Sequence, residues 1–210
     1  MKNLYLRILS TLIIMPLFLY SLYDANYLFY TVIFLILILS FYEIYTNIKQ
    51  KKICLFLYVI LIIFVYSLVS IRGYLFYNYI LCIWVLSIVW ISDIAGYVVG
   101  KIVKGPKLSI YSPNKTISGF LGSIIFSQSA CVIPLYFLND FVLNLKIILI
   151  QFFFCIISVI GDIFFSMLKR INNIKDYSNI IPGHGGILDR IDGMIFVIII
   201  YFFFNYFNVL

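Results

Sequence analysis

Residues able to work on a phosphate are concentrated in one stretch of an otherwise apolar chain. From Gly161 to Gly193 the sequence reads G-D-I-F-F-S-M-L-K-R-I-N-N-I-K-D-Y-S-N-I-I-P-G-H-G-G-I-L-D-R-I-D-G, with four of the eight acidic residues, four of the fifteen basic ones and the only histidine. On a helix Asp162, Ser166 and Lys169 fall at i, i+4 and i+7 and share a stripe, as Asp189 and Asp192 do at i and i+3. Two like charges about 4 Å apart repel by about 4 kcal/mol at an effective dielectric of 20. Convergent carboxylates therefore require a cation between them. Hard oxygen ligands beside phosphate-binding groups suit Mg2+, which takes one or two protein carboxylates and leaves its other positions to water and substrate phosphate. Lys169, Arg170, Lys175 and His184 supply positive or hydrogen-bonding groups, and Gly183, Gly185 and Gly186 let backbone N–H groups approach an anion.

The elements that position these groups are membrane helices. With 64% hydrophobic and 11% charged residues and a mean hydropathy of +1.11, the chain lacks the roughly 25% charge of a soluble domain. The expected fold class is an all-α integral membrane protein with about seven transmembrane helices, its loops forming a polar site at the inner interface. The apolar runs are residues 8–23, 27–45, 53–71, 74–92, 117–138, 145–165 and 191–210, set against about 20 residues for a span. A charged group at the centre of a membrane helix costs roughly 2.5–3.5 kcal/mol. Asp162 lies near the end of one run, and Asp189 and Asp192 at the start of the next, so all three are expected at one face of the bilayer. The segment 74–103 is about 45 Å long if helical and is expected to emerge or bend at Asp93.

Charge asymmetry gives an orientation. With a cytoplasmic N-terminus, thirteen basic residues, from Lys2 and Arg7 to Arg190, fall inside and only Arg72 and Lys146 outside, the bias of an inner membrane protein with its polar segment in the cytoplasm. The same distribution accounts for the net charge of +7 without nucleic acid, for which no solvated aromatic-basic patch exists. Cys54, Cys82, Cys131 and Cys155 lie in apolar runs without C-x-x-C pairing and read as packing residues. The chain is expected to form one polytopic domain over 1–210, with N-terminal helices in 1–92 and the catalytic part in 93–210. Glu43, at the inner end of the second run, can reach the polar site, pair with Lys49 or extend to the interface.

The order Ser166-x-x-Lys169-Arg170, then Lys175-Asp176 with Ser178, then Pro182, His184, Gly185, Gly186, Asp189, Arg190 and Asp192 resembles the signature of the phosphatidate cytidylyltransferases, also called CDP-diacylglycerol synthases. Two weaker patches resemble the same family: Trp90 to Lys101, containing Asp93, and Ser112-Pro113-x-Lys115-Thr116-x-x-Gly119. The loop before Thr116, with Pro106 and Pro113, should be non-helical, so that Lys115, Ser112 and Thr116 could hold phosphate at a helix N-terminus. There are departures: Phe165, Ile117 and Ser118 stand where the family usually carries Glu, Trp and Glu, Ile94 replaces a threonine, and Ala95-Gly96 reverses the usual small pair.

The resemblance implies Mg2+-dependent transfer of CMP from CTP to phosphatidic acid, giving CDP-diacylglycerol and pyrophosphate, by a homodimer among membrane lipids. It implies metal binding by Asp162 and Asp189. It also implies a catalytic set of Asp162, Ser166, Lys169, Arg170, Lys175, Asp176, His184, Asp189, Arg190 and Asp192, with substrate contacts from Asp93, Ser112, Lys115, Thr116, Gly185 and Gly186. A related CTP-dependent enzyme for another membrane lipid is the nearest alternative. An ion-coupled transporter would place paired carboxylates at the bilayer midplane, often in repeated halves, and no repeat is present.

Overall fold

The computed structural model describes residues 2–73, 75–183 and 185–207. Among the described residues the regular structure is helical: α1 Lys2–Asp24, α2 Tyr27–Asn47, α3 Lys51–Arg72, α4 Phe76–Val103, α5 Ile117–Ser127, a 3-10 turn Gln128–Cys131, α6 Val132–Phe137, α7 Leu145–Ile171 and α8 Leu188–Tyr206. Among the described residues five segments are long and apolar enough to cross a membrane: α2, α3, α4, the α5–α6 unit Ile117–Phe137, and α7. Of the other two expected spans, 8–23 falls in α1, where Leu9–Asp24 is a shorter apolar helix, and 191–210 falls in α8, which carries Asp189, Arg190 and Asp192 at its start and beyond which residues 208–210 lie outside the described residues.

Large apolar side chains such as Phe34, Ile62, Ile125 and Leu149 cover the outside. So much contiguous exposed apolar surface belongs in lipid, and the protein is an integral membrane protein. Inside, Trp84, Phe154, Ile195 and Tyr201 form a buried core between α4, α7 and α8. The helix α8 packs against both α3 and α7. A cavity of about 260 Å³, bordered by Tyr77, Trp84, Phe141, Lys146 and Tyr201, lies toward the opposite ends of these helices from their carboxylates.

Two glycine crossings decide how closely the helices approach. A Cβ at Gly119 of α5 would lie 2.5 Å from the Gly96 carbonyl oxygen and 3.3 Å from Gly100 Cα. Only small residues permit such backbone contact, and Gly96-x-x-x-Gly100 gives α4 the usual small-residue spacing. The α7–α8 crossing is similar: a Cβ at Gly161 would stand 2.9 Å from the Asp192 carbonyl, and one at Gly193 would stand 3.0 Å from Asp162 Oδ1. The segment expected to emerge or bend at Asp93 is one continuous helix, α4, which runs through Asp93 to Val103. The Ser123 hydroxyl of α5 donates to the Ser92 carbonyl at 2.6 Å, so the neighbouring helix supports α4 at that point.

Candidate active site

Four helices bring polar groups to one end of the bundle. Asp93 lies about two thirds of the way along α4, Asp162 about two thirds of the way along α7, and Asp192 in the first turns of α8. Lys115 immediately precedes α5, whose N-cap is Thr116; the Thr116 side chain accepts from Gly119 N at 3.0 Å. The loop before it is non-helical, as Pro106 and Pro113 require. It is closed by Leu108 N donating to Lys115 O (2.8 Å), Ile117 N to Pro106 O (3.0 Å) and Lys115 N to Ser112 O (3.1 Å). Ser112 thus works through its backbone to turn the chain under Lys115.

The Lys115 ammonium forms an ion pair with Asp162 Oδ2. The carboxyl groups of Asp93 and Asp192 each come within hydrogen-bonding range of Asp162, with Lys115 and Arg190 near Asp93 and Lys169 near Asp192. Three acidic groups meeting this closely hold together only with shared protons or positive charge among them. Lys115 supplies part of that charge.

Asp189 is held differently. Its Oδ1 accepts from Lys169 Nζ at 2.6 Å, and its Oδ2 accepts from Tyr177 N at 2.9 Å and Gly186 N at 3.0 Å. The pair is well shielded, its side chains 12% and 5% exposed. Asp189 therefore ties the loop 172–187 to α7 and to its own helix. Gly186 was expected to present its N–H to an anion, but Asp189 takes that N–H. Gly185 has φ +85°, favouring glycine, and a Cβ there would sit 3.1 Å from Asp189 Oδ2 and 3.4 Å from Asp176 Cβ. The antiparallel bridge between Ile181 and Gly185 closes this turn; His184 lies outside the described residues.

The remaining expected residues surround this centre. Ser166 occupies the Asp162–Lys169 stripe of α7 as the spacing requires. Arg170 Nε donates to the Tyr111 carbonyl at 3.4 Å and so joins α7 to the Lys115 loop. Lys175, Asp176 and Arg190 are at the surface. Phe165, which replaces a family glutamate, is fully buried, with edge contacts to Phe164 and Tyr177.

Two further residues belong to this region: Tyr177, which the sequence reading did not single out, and Glu43, for which reaching the polar site was one of three readings. Tyr177 is fully buried, its ring 5.6 Å from Lys169 Nζ. Burial, and after it the charges of Asp189, Asp192 and Glu43, push its phenol pKa above the ordinary value. Glu43, on α2, is also fully buried and accepts hydrogen bonds from Ser178 Oγ, Ile187 N and Leu188 N. Each partner is more than 130 residues away in sequence, so no local pattern marks the contact.

The donor set fits a hard divalent ion. Among the described residues no three His, Cys, Asp or Glu side chains are disposed to enclose a metal by themselves. Mg2+ needs only one or two protein carboxylates, however. Asp162 and Asp189 each already hold an ammonium nitrogen, showing that both positions attract positive charge.

Comparison with known proteins places these residues in context. The model of the cytidylyltransferase family matches residues 46–207. The phosphatidate cytidylyltransferase of Rickettsia bellii (strain RML369-C) is 34% identical over 211 residues, covering 97% of this chain and 91% of that protein. That of Rickettsia felis (strain ATCC VR-1525 / URRWXCal2) is 34% identical over 96% of this chain and 92% of its own length. The phosphatidate cytidylyltransferase of Staphylococcus haemolyticus (strain JCSC1435) is 41% identical over 113 residues, 53% of this chain and 43% of that protein.

Proposed function

Because the chain belongs to the cytidylyltransferase family, we propose that it transfers CMP from CTP to phosphatidic acid, forming CDP-diacylglycerol and releasing pyrophosphate. The observation that carries this reading is the meeting of Asp93, Asp162 and Asp192 with Lys115 at one end of α4, α5, α7 and α8, beside the Lys169–Asp189 pair. It is a site for concentrated phosphate charge at the edge of an apolar bundle.

The phosphate of phosphatidic acid is a monoester with a second pKa of about 6. At neutral pH its oxygen is already a nucleophile, and the site needs no strong general base. That oxygen attacks the α-phosphorus of CTP, a new P–O bond forms, the bond to the β-phosphate oxygen breaks, and pyrophosphate leaves. What the protein must supply is alignment and charge neutralisation. Lys115 and Lys169, now paired with carboxylates, turn to the triphosphate, with Arg170, Lys175 and Arg190 receiving the departing pyrophosphate. Asp162 and Asp189 would hold Mg2+, with Asp192 and Asp93 beside Asp162; bound there, it would supply neutralisation of phosphate charge, including that of the leaving group. Ser112 and Thr116 shape the loop that carries Lys115.

In this reading the seven apolar runs all lie in the bacterial inner membrane, with the N-terminus and the site on the cytoplasmic side, where CTP is found. The acyl chains of phosphatidic acid stay among the helices through an opening that faces lipid, and the active form is a homodimer. The test is CMP transfer from radiolabelled CTP to phosphatidic acid by the purified protein in detergent, with Mg2+ or with a chelator. Mg2+-dependent label in CDP-diacylglycerol supports the reading. Label that appears only with a different lipid acceptor, or none with any, overturns it.

A further inference from the structure

The helix α8 begins without a cap of its own. Its N-cap residue, Ile187, offers no side-chain acceptor, and the first N–H groups of a helix have no partner within the helix. They are satisfied here from another part of the chain. Ile187 N donates to Glu43 Oε1 at 2.8 Å and Leu188 N to Glu43 Oε2 at 2.9 Å, while Ser178 Oγ donates to Oε1 at 2.6 Å. A carboxylate at a helix N-terminus is also favoured by the helix dipole. One side chain therefore caps α8, fastens the middle of the 172–187 loop and joins both to α2.

Gly186 carries the imprint of the same group. A Cβ there would lie 2.7 Å from Glu43 Oε1 and 2.9 Å from its Cδ and Oε2. Its φ is outside the left-handed region, so room for the carboxylate, not backbone conformation, requires the glycine. On its other side Gly186 N is held by Asp189. Asn47, one turn after Glu43, adds a hydrogen bond from Nδ2 to the Tyr177 carbonyl, and Tyr177 N is the second backbone donor to Asp189.

We infer that Glu43 is a positioning residue for the transfer reaction. As an acceptor provided from α2, it fixes the N-terminus of α8 and hence the placement of Asp189, Arg190 and Asp192 relative to α7. Glu43 lies before the family-matched region, which begins at residue 46. The inference implies that the reactive centre is incomplete without the inner end of α2. It rests on the proposed activity for its kinetic arm only.

Two experiments decide it. The first is hydrogen exchange on the full-length protein in detergent. The Ile187 and Leu188 amides should be protected relative to those of exposed Lys175 and Asp176, and Glu43→Gln, which keeps the length but replaces one acceptor oxygen by a donor, should speed their exchange about 10- to 100-fold, the factor for losing a hydrogen bond to a charged group. Unprotected amides in the wild type overturn the inference even if the variant does not fold, as does unchanged exchange in a folded variant.

The second is a double-mutant cycle on CMP transfer. Glu43→Ala and Gly186→Ala should each lower kcat about tenfold or more, but Gly186→Ala should add little once Glu43 is gone, because the new methyl then has space. Strictly multiplicative losses overturn the inference. An inactive wild type would remove the proposed reaction, leaving exchange to decide the role of Glu43.

Discussion

Replacing Asp189 by asparagine tests the most connected carboxylate of the site. The side chain has two acceptor oxygens and three donors: Lys169 Nζ on one, and Tyr177 N and Gly186 N on the other. Asparagine has one acceptor oxygen and an NH2 group, so whichever way the amide turns, a donor faces a donor. If the oxygen stays with the two backbone N–H groups, Lys169 loses its partner while mostly buried, and breaking a buried pair from one side costs about 3–5 kcal/mol. If the oxygen turns to Lys169, two N–H groups are orphaned at about 1–3 kcal/mol each. Either way the loss is about 2–6 kcal/mol, concentrated in the loop 172–187 and the first turn of α8. We expect Asp189→Asn to abolish measurable CMP transfer and to lower the melting temperature in detergent. Removing the ammonium as well, in Lys169→Met/Asp189→Asn, should recover part of the stability, with a coupling of about 1–3 kcal/mol, because a neutral pair no longer leaves a charge unmatched. Near-normal melting and turnover in the single variant, or strictly additive losses in the double variant, would refute the assignment.

Other consequences are equally direct. Gly119→Ala places a methyl 2.5 Å from the Gly96 carbonyl and should destabilise the α4–α5 crossing by about 1–3 kcal/mol, seen as a lower melting temperature and a weaker response to CTP as Lys115 moves away from Asp162. Asp162→Asn should raise the Mg2+ concentration needed for half-maximal transfer at least about tenfold, measured by metal titration at saturating CTP; an unchanged midpoint would remove Asp162 from the ion's contacts. Tyr177→Phe should be mild, at about 0.5–1.5 kcal/mol, because its hydroxyl makes only a 3.4 Å bond to the Phe165 carbonyl, whereas Tyr177→Ala should cost about 3–5 kcal/mol. The raised Tyr177 pKa also gives a sign. Its contribution is complete below the unfolded value of about 10 and is lost as pH rises above it, so melting should show no Tyr177-dependent change between pH 6 and 9 and a decline above about pH 10 that Tyr177→Phe removes.

Much of the site was legible because its chemistry recurs at helical spacing. Asp162, Ser166 and Lys169 share a stripe of α7, and Thr116 caps α5 after a proline-containing loop, as local rules require. Local rules failed wherever a distant segment supplied the partner. Glu43 offered three readings, two of them solvated, and only tertiary structure buries it against Ser178 and the start of α8. Tyr177, between Asp176 and Ser178 in a polar loop, carried no signal in the sequence, yet it is buried with its ring 5.6 Å from Lys169 Nζ. Whether the long segment emerges or bends at Asp93 was left open for the same reason: it is one 28-residue helix that exceeds the hydrocarbon thickness, and α5 packs alongside it. The sequence also paired Asp162 with Asp189 as equals, whereas Asp162 sits among other acids and Asp189 among backbone donors. That division depends on where Asp93 arrives from α4, and no spacing within α7 or α8 contains it.

The two lysine–carboxylate pairs have a consequence for the order of events. A site whose lysines are already paired with its carboxylates makes taking up a nucleotide an exchange and not an addition: each ammonium released to a phosphate leaves a carboxylate that wants a new partner. Metal and triphosphate should therefore promote one another's arrival.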